Sequence, residues 1–110
     1  MGVRLILKNS VLTAVLSGEI DHHSAREIRT EIDSTAAKVK PETLILDFSA
    51  VRFMDSSGIG LIMGRCKLMQ AWDGLVEIRN LPPNVERIVS LAGLESLCTI
   101  KRGTVDESAE

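Results

Sequence analysis

Aromatic residues are nearly missing from this 110-residue chain, which has no tyrosine, one tryptophan and two phenylalanines. The core must therefore be aliphatic, and few side chains are available to stack on nucleic-acid bases. A surplus of positive charge is missing too: 13 Lys and Arg stand against 15 Asp and Glu. That balance argues against a polyanion, so no nucleic-acid partner is expected. No apolar run approaches the roughly 20 residues that cross a bilayer, and no membrane partner is expected either. The opening MGVRLILKNS is interrupted too soon by Lys8 and Asn9 to read as a secretory signal. It also lacks the Ser or Thr at position six that myristoylation requires. The cytoplasm is the expected compartment. Two cysteines, Cys66 and Cys98, are too few for a metal cluster or a disulfide framework. Cys66 reads as core filling, and neither a metal nor a cofactor of the chain's own is expected.

What is present suffices for one domain, since 110 residues at 45% hydrophobic can build a single core without staples. Val3, Leu5 and Leu7 alternate with Arg4, Ile6 and Lys8 as an edge strand, and Asn9-Ser10 turns into a second strand from Val11 to Ser17. Ser24-Ala25-Arg26-Glu27 fits a capping box. Ile28, Ile32, Ala36 and Val39 then keep helical spacing until Pro41. Leu44 to Phe48 is almost continuously apolar, the pattern of a strand covered on both faces and ended by Asp47-Phe48. A loop from Ser49 to Asp55 should lead into a helix from Ser56 to about Ala71, broken by Asp73-Gly74. Leu75 to Arg79 alternates as a strand, Pro82-Pro83 opens a third helix that Gly93 stops, and Leu97 to Lys101 forms a last strand. The order β-β-α-β-α-β-α-β implies a mixed α/β sheet with helices packed on it, a domain over 1–101 and a polar tail over 102–110 expected to be disordered.

In such sheets the working edge lies beyond the carboxyl ends of the strands. Glu19-Ile20-Asp21, Asp47 and Asp55-Ser56-Ser57-Gly58 are all expected there. Serines before a helix are ordinarily caps. Yet Gly58, Gly60 and Gly64 each cost the helix about 1 kcal/mol relative to alanine, which a close approach by another chain or by the sheet would explain. The glycine spacing is not that of a dinucleotide site, and there is no P-loop lysine. His22 and His23 stand near the same edge, but the G-x-S-x-G elbow of a serine hydrolase is absent, so a hydrolase using Ser57 and His23 is a minor alternative. Another is a receiver-like domain in which Asp47 would accept phosphate near Glu19 and Asp21 with Mg²⁺, assisted by Lys101. The remaining role for Ser56 is phosphoacceptor. A helix N-terminus tolerates the added charge, while a partner docked there would meet it. Met54, a large apolar residue in a turn-like stretch, is either part of that docking surface or a staple across the helix start.

The stretches Gly18 to Ala25, Leu46-Asp47-Phe48 and Phe53 to Gly60 resemble the STAS-domain anti-sigma-factor antagonists, and their sporulation branch in particular. The resemblance covers nearly the whole chain; Asp47 and a short tail depart from the family pattern. It implies a transcription regulator that works by partner switching and is not itself an enzyme. The unphosphorylated form would bind an anti-sigma factor that is also a serine kinase and carries the ATP, freeing the sigma factor. Phosphorylation on Ser56 would end this, and a serine phosphatase would reverse it. Asp21, Asp55 and Ser57 are then expected to support phosphorylation. Met54, Asp21, Ser56, Gly58 and Ile59 are expected to face the partner.

Overall fold

A left-handed Asn9 (φ 59°) reverses the chain between β1 (Gly2–Lys8) and β2 (Val11–Ile20), a conformation asparagine tolerates better than most residues. The structure, a computed structural model, describes residues 2–96 and 98–101. Leu97 and the expected tail over 102–110 lie outside the described residues. After the hairpin come α1 (His22–Val39), β3 (Thr43–Met54), α2 (Ser57–Gln70), β4 (Leu75–Arg79), α3 (Pro83–Leu91), a 3₁₀ turn (Leu94–Ser96) and β5 (Thr99–Lys101). This is the element order the sequence implies. No helix among the described residues is long and apolar enough to cross a membrane.

The sheet runs β1-β2-β3-β4-β5, with β1 antiparallel to β2 and the other pairs parallel. Each crossover advances one strand in the same direction, so right-handed connections put the helices on one face. Burial follows: Leu12, Ala14, Leu16, Leu44, Leu46, Phe48 and Ile78 are fully buried. On the other face Thr13, Asp47 and Arg79 stay half-exposed, while Ile45 is shielded. The apolar run of β3 is thus covered mainly on one side, not on both.

Two boundaries differ from expectation. β3 does not end at Asp47-Phe48 but continues to Met54, and β2 continues to Ile20. The extension holds because the two strands stay paired through register shifts between Val15 and Ser17 and between Gly18 and Glu19, where Gly18 takes φ 87°. Those irregularities break the alternation by which a strand is read. The second difference is at α1, which begins at His22 with Asp21, not Ser24, as its N-cap. Ser24 is instead the third residue of the box, its hydroxyl accepting from the Asp21 amide at 3.0 Å and donating to the Glu19 carbonyl at 2.8 Å.

α1 and α2 are held together by a half-buried ion pair. Arg65 Nη2 donates to Asp33 Oδ2 at 3.2 Å and Nη1 donates to the Leu61 carbonyl at 3.3 Å. Arg65 Nε lies 2.9 Å from Asp33 Oδ1 as a charge contact, not an aligned hydrogen bond. The Arg65 side chain is only 5% exposed, so removing its partner would strand a charge in the interior. The cysteines also depart from expectation. Cys66 of α2 and Cys98, beside β5, form a disulfide. Two isolated cysteines 32 positions apart carry no spacing signature; the fold alone brings α2 beside the segment that leads into β5.

Two outcomes follow from these cross-links. Asp33→Ala should destabilise the domain by about 3 kcal/mol, the low end for a broken buried pair because the Asp33 side chain is 36% exposed. Urea unfolding with an unchanged m-value would measure it. Reduction with dithiothreitol should lower stability by roughly 3–4 kcal/mol, the chain-entropy value for a loop of this length. Cys98→Ser should melt like the reduced parent and no longer respond to reductant.

Candidate functional site

The extended β2–β3 pairing decides where the site lies. Ile20 is in register with Met54, and the Asp55 amide donates to the Ile20 carbonyl at 3.0 Å. One residue separates β2 from α1 and two separate β3 from α2, so the two helices start side by side at the carboxyl edge of adjacent parallel strands. Asp21 and Asp55-Ser56 are thereby brought together, as the sequence suggests. Asp47 is not. It lies seven residues before the end of β3, roughly 23 Å away at strand rise. Its Oδ1 accepts from the Ser49 amide at 2.9 Å and from Asn80 Nδ2 at 3.1 Å. A receiver-like site uniting Asp47 with Glu19 and Asp21 has no geometric basis; the side chain of Lys101, its supposed assistant, lies outside the described residues.

At α2 the cap is Asp55, not a serine. Asp55 Oδ1 accepts from the Ser57 amide at 2.8 Å. Ser56 occupies the N-cap position with φ −65° and ψ −15°, and its side chain caps nothing. Ser56 is exposed, and among the described residues its hydroxyl makes no hydrogen bond. Ser57, half-buried, turns toward a groove between the two helices. The adjacent serines therefore differ: one hydroxyl stands free at a positive helix end, and the other lines a cleft.

Met54 is the staple rather than docking surface. It is 1% exposed, and a Cβ on Gly58 would overlap its thioether. Gly58 is thus required by close approach to the end of β3, and it too is buried. The apolar side chain that reaches solvent here is Phe53, 49% exposed, which the sequence pattern did not single out. Its position beside a buried residue at the end of a strand was the available signal. Ile59 is half-buried. Gly60 and Gly64 are a different case, because a Cβ at either would meet nothing within 4 Å. Packing within the chain does not account for them.

At α1, Asp21 Oδ1 accepts from the amides of His23 (3.0 Å) and Ser24 (2.9 Å) and from the Ser24 hydroxyl (3.2 Å). The bond from the Ser24 amide acts most strongly to hold the carboxyl below its ordinary value. Modest desolvation opposes it, and the Ser24 hydroxyl, the His23 amide and the His23 charge reinforce it. His22 and His23 both sit in the first turn of α1, exposed, and His23 Nε2 faces Glu27 at 3.9 Å. Among the described residues no hydrogen bond joins either histidine to Ser56 or Ser57, so the structure assembles no hydrolase triad.

Because the folded Asp21 carboxyl titrates below its unfolded counterpart, its stabilisation is complete above about pH 4 and disappears as pH falls through the lower folded value. Asp21→Ala should therefore melt below the parent throughout about pH 8 to 5, and the margin should close in stronger acid. Calorimetry across that range checks it.

With the site in place, comparison with known proteins becomes specific. A STAS-domain profile matches residues 3–107. The chain is 34% identical over 100 residues to the anti-sigma F factor antagonist of Paenibacillus polymyxa, covering 91% of this chain and 86% of that one. Against the anti-sigma-B factor antagonist of Bacillus subtilis the identity is 28% over 85 residues, covering 77% and 76%. Among solved structures, the anti-sigma factor antagonist SpoIIAA in its unphosphorylated form superposes with a TM-score of 0.83 at 30% identity, over 97% of this chain and 92% of that one. The phosphorylated form of Bacillus SpoIIAA gives 0.76 at 29% identity, over 97% and 96%. Profile, relatives and fold agree, and the chain belongs to the STAS-domain family.

Proposed function

We propose that this protein is an anti-sigma-factor antagonist whose binding to its partner is switched by phosphorylation of Ser56. The observation that carries the switch is the free hydroxyl of Ser56. It is exposed, makes no hydrogen bond among the described residues, and stands at a helix N-terminus whose capping is done by Asp55. A phosphate on it gains from the helix dipole and disrupts no intramolecular bond, so the modified domain stays folded. A partner resting on the same edge meets two added negative charges. Relatives named as antagonists of anti-sigma factors support the partner class. The solved structures of SpoIIAA in unphosphorylated and phosphorylated forms support a fold that accommodates both states.

The partner in this reading is an anti-sigma factor that is also a serine kinase and brings its own ATP, with a serine phosphatase restoring the active form. The antagonist is then substrate and ligand, and it works in the cytoplasm, where transcription is regulated. Asp21 and Asp55 fix the two helix starts around the acceptor. Asp21 Oδ2, which takes no part in the cap, is free to orient the hydroxyl or meet a cation of the partner. Ile59 and the exposed Phe53 supply apolar contact.

The test is to mix the protein with its host's anti-sigma kinase and ATP and locate the modified residue by mass spectrometry. Phosphate should appear on Ser56. Ser56→Ala should bind the kinase and resist modification, and Ser57→Ala should still be modified. Ser56→Asp should fold normally and bind about a hundredfold more weakly, a loss of ~2.7 kcal/mol. Asp21→Asn, which keeps a capping side chain, should slow phosphorylation with little change in melting. Phosphate on Ser57, or tight binding by the Ser56-phosphorylated form, would overturn the assignment.

A further inference from the structure

His22, Arg26 and Arg29 follow one another at four- and three-residue steps along α1, which places them on one helix face. That face looks across at Ser57, Gly60 and Leu61 of α2, and the space between is a groove of about 340 Å³. Gly60 keeps the opposite wall flat, with open space where a Cβ would stand. Arg26 and Arg29 are exposed, and among the described residues neither guanidinium has an ion pair or hydrogen bond.

The neighbouring acids are engaged elsewhere. Asp33, the next acid toward this groove on α1, is held by Arg65. Glu27 faces His23, and Asp21 Oδ1 and Asp55 Oδ1 cap their helices. Electrostatics agree with this inventory. Burial chiefly pushes Arg65 below its ordinary value, Asp33 opposes that, and repulsion from Arg29 adds to it, which puts Arg29 within electrostatic reach of a second cation. A cleft holding two unpaired guanidiniums and a hydroxyl, beside a helix N-terminus, has the donor set that tetrahedral oxyanions select. Ser57 on its wall is bonded directly to Ser56.

We propose that the α1–α2 groove is a phosphate subsite in which Arg26 and Arg29 act as positioning residues for the phosphoryl group at Ser56. The proposal rests on the reading of Ser56 as phosphoacceptor. In the transfer, Ser56 Oγ forms a bond to the γ-phosphorus of ATP and the bond from that phosphorus to the β,γ-bridging oxygen breaks. ADP leaves, and the hydroxyl proton passes to a carboxylate of the complex or to water. The phosphate in the groove has two sources: the γ-phosphate as it arrives, or the phosphate once it resides on Ser56.

The variant Arg26→Gln/Arg29→Gln separates them, and its exposed positions leave the fold intact, checked by melting. If the groove holds the phosphate on Ser56, the phosphorus NMR titration of the modified parent gives a second pKa below the usual value of about 6, and the variant moves it up by about half a unit or more. If the groove holds the incoming γ-phosphate, kcat for phosphorylation falls at least tenfold with an unchanged KM for the antagonist, and Arg26→Lys/Arg29→Lys restores part of it. Either result supports the subsite. No change in both measurements overturns it. So does a loss confined to kinase affinity and equal with and without nucleotide, which would assign the arginines to a partner carboxylate. A parent that is never modified on Ser56 fails the functional reading instead. The groove is then tested by titrating the free protein with inorganic tripolyphosphate. Amide shifts at Arg26, Arg29 and Ser57 that vanish in the variant support an anion site, and their absence overturns it.

Discussion

Parallel pairing of β2 with β3, carried through two irregularities to Ile20 and Met54, is the constraint on which the rest of the edge depends. Strands that diverged after Ala14 and Leu46 would still have made a sheet, but their helices would have begun at separate places. Because the strands end together, one backbone bond from Asp55 to Ile20 sets the two helix starts in contact. A single ladder thus fixes an acid from one loop and a serine from another. Neither loop needs an internal scaffold of its own.

Charge at this edge is arranged with some economy. Each helix start is capped by an aspartate through one oxygen, Oδ1 in both cases. The serine that would ordinarily cap α2 is released from that task, and its hydroxyl is left open to solvent. Capping by Asp55 therefore stabilises the helix and leaves the Ser56 hydroxyl exposed in the same arrangement. It also limits what modification can disturb, since phosphate on Ser56 breaks no bond on which α2 depends. A switch that is read by a partner instead of by the fold needs this independence.

The element order was legible because the helices carry Ile28, Ile32 and Ala36, or Val85 and Val89, at regular spacing, and because Pro41, Asp73-Gly74 and Gly93 mark the stops. The mixed sheet follows from that order by the handedness rule. The stretch Asp55 to Gly58 stood out as a candidate site from charge physics and motif together. What was hidden lay wherever long-range contact overrides local pattern. The bulges of β2 disguised the end of β3 and so misplaced Asp47. Met54 looks like a surface residue in sequence because nothing local reveals that Gly58 four residues later makes room for it. Ser24 satisfies the local capping pattern as well as Asp21 does, and only the start of the helix decides between them. The two cysteines gave no signal, since they lie 32 positions apart and the chain between them must fold before they meet.

That last feature has a topological side. The disulfide closes a ring that contains the end of α2, all of β4 and α3, and the 3₁₀ turn. The helix that begins beside Ser56 is therefore tied in its second half to the sheet edge opposite the hairpin, so sliding of α2 along its axis would have to drag β5 with it. A cut in the connection through Asn80 and Leu81 would sever the backbone without separating the pieces, leaving one covalent particle under oxidising conditions and two chains under reducing ones.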